Sequence, residues 1–99
     1  MSNENKGAAL DESKTIPLRR AVGPSDSVDR FELKAPNAGQ VAKFIRLGKT
    51  DEGDAINTLV SEVSGVPKPL VEKADWRDVA DAMEYLSPFV SHGQKTETS

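Results

Sequence analysis

The run SGVPKPL, residues 64–70, constrains the fold more than any other part of this chain. It places a glycine and two prolines between two stretches of helical periodicity. Before it, Ile56, Leu59, Val60 and Val63 recur at the i, i+3, i+4, i+7 spacing of a buried helix face. After it, Trp76, Val79, Ala80, Met83 and Leu86 mark one side of a second helix. Gly65 suits the left-handed residue that closes a helix, and Pro69 suits the first turn of the next. Two helices joined this tightly meet in a hairpin or corner, so their apolar sides share one core.

The remaining segments predict an α+β domain, with an N-terminal β-hairpin packed against three or four short α-helices. Ile16, Leu18 and Val22 alternate with Pro17, Arg19 and Ala21, as in a strand with one apolar face. Pro17 donates no ladder hydrogen bond and predicts an edge strand. GPSDS, residues 23–27, is a turn, and Phe31, Leu33 and Ala35 form the apolar side of a second strand. Val28 falls on the wrong parity, which predicts a bulge or a later strand start. The hairpin spans 14–35. Helices follow over about 37–48, 51–64, 69–74 and 75–87, capped by Asn37, Asp51 and Asp75. The first carries Val41, Phe44, Ile45 and Gly48 on its apolar face, and Pro88 is expected to end the last. Residues 1–13 and 91–99 are small or charged and are expected to be disordered tails of this single domain. That leaves about 80 residues for a core, near the size at which domains are marginally stable. Association with a partner, or self-association, would then add stability.

Charge and residue usage disfavour several functions. The 13 basic side chains are interleaved with 16 acidic ones and the net charge is −3, a poor match to phosphate backbones. No apolar run approaches the roughly 18 residues of a membrane span. MSNENKGAAL has neither the basic start nor the apolar stretch of a secretory leader, so the cytoplasm is the expected compartment. With no cysteine there is no disulfide framework and no thiol nucleophile.

Reactive constellations are equally sparse. The single histidine, His92, falls in the expected tail, without companions for base-and-orienter chemistry. Asp75, Asp78, Asp81 and Glu84 recur every three residues and read as a cap plus a solvated helix face. Calcium needs about six to eight converging oxygens, which such a face does not offer. Asp26-Ser27-Val28 is similar to the Asp-Ser-Leu at which acyl carrier proteins receive their prosthetic group. There, however, the serine opens a helix, whereas Ser27 precedes a strand. Gly39 is a lone glycine and makes no phosphate loop. No enzyme and no cofactor are expected. A helix-turn-helix over residues 56–75 is the alternative, as a small DNA-binding regulator. Its second helix would offer only Lys68 and Lys73, with acids following. Trp76 beside the Asp75 cap reads most simply as a core anchor, with an interface hot spot as the other reading.

The order of elements carries a resemblance. TIPLRRAV is followed by a turn, then FELKAPNAGQV, a helix, and AINTLVSEVSGVP leading into LVEKADWRDVADAM. Leu33, Pro36, Ala38 and Gly39 carry the second element; Leu59, Gly65, Val66 and Pro67 the third; Leu70, Asp75, Val79 and Met83 the last. This order, over residues 14–90, resembles the small tail assembly chaperones of contractile-tailed, Mu-like phages and related prophages. The resemblance implies a non-enzymatic holdase that binds the tape measure protein during tail assembly and keeps it soluble. The tail tube protein is a further implied partner, and nucleic acid and membrane are not. Amphipathic target helices dock apolar faces into grooves, and aromatic residues and methionine dominate such contacts. Phe44, Trp76, Met83 and Phe89 are therefore the candidate partner-binding residues.

Overall fold

The computed structural model describes residues 12–98, with side chains through residue 91. Strand β1 (Ser13–Val22) turns through a short 3-10 segment (Pro24–Asp26) into β2 (Val28–Lys34). Four helices follow: α1 (Ala38–Gly48), α2 (Glu52–Ser64), α3 (Lys68–Lys73) and α4 (Trp76–Thr98). The fold is α+β, an antiparallel two-stranded hairpin with four helices.

Two strands are marginal in water unless a face is covered. Here α2 packs beside β2 and α4 beside β1, while α1 lies against both of those helices. One apolar cluster results, joining Ile16, Phe31 and Leu33 of the hairpin to Leu59, Val60 and Val63 of α2. Val71 of α3 and Val79, Ala82 and Leu86 of α4 complete it. The corner after α2 closes as expected. Gly65 adopts φ 76°, and its N–H donates to the Ser61 carbonyl at 2.9 Å. The Ser61 hydroxyl donates to the Val66 carbonyl at 2.7 Å, and the Val66 N–H donates to the Ser64 hydroxyl at 3.1 Å. These bonds occupy some of the backbone groups that the helix end and the proline-rich joint leave over.

The helix starts behave as their cap residues predict. The Asn37 side chain accepts from the Gln40 N–H at 2.9 Å while Gln40 Oε1 accepts from the Asn37 N–H at 3.0 Å, a reciprocal capping box. Asp51 accepts from the Asp54 N–H at 3.0 Å, and Asp75 from the Arg77 N–H at 2.9 Å.

The irregularity expected near Val28 lies in the opposite strand. Pairing is regular from Ser13 with Lys34 to Pro17 with Arg30, then resumes at Val22 with Val28. Leu18, Arg19, Arg20 and Ala21 thus stand opposite Asp29 alone, and β1 bulges.

Three expectations need correction. Pro88 does not end α4, which continues to Thr98 and so takes in most of the expected 91–99 tail. Pro88 is exposed, so water reaches the carbonyl that its missing N–H leaves unpaired. Packing bridges the same point: Val90 is buried, and the Phe89 ring meets Tyr85 edge-on, with centroids 5.5 Å apart. Trp76 is not a core anchor, being 61% exposed. Asp78 does not belong to a solvated face, because it is fully buried. The expected 1–13 tail lies outside the described residues, apart from the bend at residue 12 and Ser13 in β1. The His92 side chain also lies outside them. Among the described residues, no helix is long and apolar enough to cross a membrane.

Candidate functional site

Helix α4 carries two rows of side chains. Val79, Ala82, Leu86 and Val90 are buried against the core. Trp76, Ala80, Met83, Ser87 and Val90 recur at alternating spacings of four and three, which aligns them along a neighbouring face of the same helix. The second row faces α1 and α2. With Phe44 of α1 and Ile56 of α2 it lines an open groove enclosing about 480 Å³. Phe44, Ile56 and Met83 pack partly on the core below, so the groove floor is an extension of the core that reaches solvent. Trp76 stands at one end as the exposed large hydrophobic side chain among the described residues.

Three of the four candidate residues therefore converge. Phe44 arrives from α1 because the Asn37 cap and Gln40 fix where that helix starts. Trp76 and Met83 are seven residues apart, two turns along one face. Phe89 is separate. It lies about 140° around α4 from Trp76 by helical geometry, beside Tyr85, and takes no part in the groove. Reading the sequence missed Ile56 and Ala80 as lining residues, having placed both among core positions. The signal that separates them is the four-three spacing from Trp76 to Val90, offset from the Val79, Ala82, Leu86 row.

The charges at this site are acidic. Glu52 of α2 and Glu84 of α4 line the groove, and no basic side chain does. Two nearby bases are engaged elsewhere: Lys43 Nζ lies 2.6 Å from Glu62, and Arg77 Nη2 lies 2.9 Å from Asp75. The Arg77 guanidinium, and then its backbone N–H, hold the Asp75 carboxyl well below the usual carboxylate range.

A second open depression of about 580 Å³ runs between β1 and α4, past Lys14, Ile16, Arg19, Asp81 and Glu84. It is built over the bulge. The Arg19 N–H, released from the strand ladder, donates to Asp78 Oδ2 at 2.9 Å. The Arg19 guanidinium donates to Asp78 Oδ1 at 2.5 Å and to Asp81 Oδ2 at 3.2 Å. Asp78 is thus a buried carboxylate whose acceptors are satisfied by the bulge it holds, a structural clamp between strand and helix. The sequence signal for this was Asp78 sharing its row with Ala82, Tyr85 and Phe89, at i+4, i+7 and i+11. Among the described residues no group of histidine, cysteine, aspartate or glutamate is arranged to hold a metal ion.

The α2–α3 corner, where the helix-turn-helix alternative would place its reading helix, presents few free cations. Lys68 Nζ is bound to the Asp54 carboxylate, which raises its pKa. The helix α3 is six residues long, and Lys73 is the other base on it. No protein-family model, curated protein or solved structure matches this chain.

Proposed function

We propose that this chain is a tail assembly chaperone of the phage type, a non-enzymatic module that clasps an amphipathic helical segment of the tape measure protein. The long partner is thereby kept soluble until tube subunits assemble around it. The observation that carries this reading is the groove between α1, α2 and α4, with Trp76 61% exposed at its edge. A small domain gains nothing in stability from leaving its one tryptophan in water, whereas tryptophan is the residue most enriched at binding hot spots. The concave apolar floor beside it suits the helix-in-groove mode of recognition. The order of sequence elements, which resembles the chaperone family, supports the choice of partner.

Co-expression with the tape measure protein of the same genome tests the reading. The tape measure protein is expected to stay in the soluble fraction with this chain and to precipitate without it. Trp76→Ala is expected to abolish the rescue while changing unfolding stability by only about 0.5 kcal/mol, as for most surface positions. A tape measure protein equally soluble with and without the chain overturns the proposal.

A further inference from the structure

We infer that the groove selects its occupant by charge as well as by apolar fit, taking an amphipathic helix whose apolar face is flanked by lysine or arginine. This rests on the holdase reading and adds the class of segment that is held. Two of its helices each contribute one carboxylate to the lining, Glu52 from α2 and Glu84 from α4. Neither has an ion-pair partner among the described residues. Three bases close in sequence or space are held by other acids: Lys43 on Glu62, Arg77 on Asp75, and Arg19 on Asp78 and Asp81. Lys14 lies along the neighbouring depression, where Glu84 also faces, and forms no ion pair among the described residues.

An occupant helix lying along Trp76 to Val90 covers about 21 Å, or roughly four turns. Apolar anchors at i, i+3 or i+4, and i+7 meet Met83, Ile56 and Phe44, and basic residues beside the anchors reach Glu52 on α2 and Glu84 on α4. The same charges argue against a second copy of this chain as occupant. A symmetric pairing through this face would bring Glu52 and Glu84 of both copies together, and no basic side chain lines the groove to offset them.

The test uses the full chain and three synthetic helical peptides of about 16 residues with one leucine face, flanked by lysine, glutamine or glutamate. Trp76 is the sole tryptophan, so its fluorescence reports occupancy of the groove directly. The lysine-flanked peptide is expected to bind best, the glutamate-flanked one worst, with the difference shrinking as salt rises. The double variant E52Q/E84Q is expected to weaken the lysine-flanked peptide by roughly 2- to 30-fold, the range that two exposed ion pairs span. Its affinity for the glutamine-flanked peptide should stay within about twofold, which shows that the groove itself is intact. Equal binding of all three peptides overturns the charge selection while leaving the holdase reading standing. A shift of Trp76 emission with chain concentration alone, accompanied by dimers in sedimentation, overturns it in favour of a second copy. Failure of tape measure rescue despite the predicted peptide ranking would instead count against the holdase reading alone.

Discussion

Asp78→Ala is expected to destabilise the domain by about 2 kcal/mol, although the sequence around Asp78 looks like a solvated acidic helix face. The magnitude follows from what the carboxylate holds. Its loss leaves the Arg19 N–H, 2.9 Å from Oδ2 in the parent, without an acceptor at a partly buried bulge, which costs roughly 1–3 kcal/mol. The Arg19 guanidinium adds little to this, because its side chain is 44% exposed and turns to water. Relief from burying a charge offsets part of the loss. Against a total of roughly 4–12 kcal/mol for a domain of this size, the change is large. Urea unfolding followed by circular dichroism would show the midpoint falling by about 1–2 M, at the slopes usual for small domains. Hydrogen exchange gives the local readout, with the Arg19 amide exchanging roughly 30-fold faster. Asp78→Asn keeps an oxygen for that N–H and is expected to lose less than half as much. A midpoint within about 0.3 M of the parent, with Arg19 exchange unchanged, would refute the clamp.

Three further outcomes concern the backbone and charge. Gly65→Ala is expected to cost about 1 kcal/mol, since φ is 76° but nothing lies within 4 Å of the added carbon. Gly23→Ala should cost more, because φ is 90° and the new carbon would meet Ser27 Oγ at 2.9 Å and Leu70 Cδ1 at 3.3 Å; paired chemical denaturation curves check the order. Asp75, held below the ordinary carboxylate range by Arg77, contributes stability that is fully present above a pH of about 4. That contribution is lost as pH falls through the lowered folded value. The stability gap between parent and Asp75→Asn should therefore be flat from neutral pH down to about 5 and narrow only below about 4, in urea midpoints measured across pH.

Much of the architecture was legible in local chemistry. Asn37, Asp51, Gly65 and Asp75 each act on backbone groups within four residues, so their roles can be read without knowing what lies across the core. The alternation through Phe31 and Leu33, and the spacing of Leu59, Val60 and Val63, likewise identified positions that are buried. Local rules failed at Pro88, where an exposed proline is carried through a helix by contacts on the opposite side, Val90 on the core and Phe89 on Tyr85. The site divides in the same way. Residue type and helical spacing nominated Phe44, Trp76 and Met83, whereas Phe89 shared the type and not the face.

The sequence by itself placed the helix starts to within a residue, and determined which side of each helix and strand is apolar and that a stiff corner at residues 64–70 folds two apolar helices onto one core. Only the tertiary structure decided which of those apolar residues the core had room to cover. The hairpin and two neighbouring helices seal Val79, Ala82 and Leu86, while Trp76, Ala80 and Met83 lie on the next face round and line an open groove. The same limit explains Asp78, whose acidity implied solvent until a bulge residue 59 positions away supplied its partners. Periodicity reports the direction of a side chain relative to its own helix; burial depends on what the rest of the chain sets opposite it.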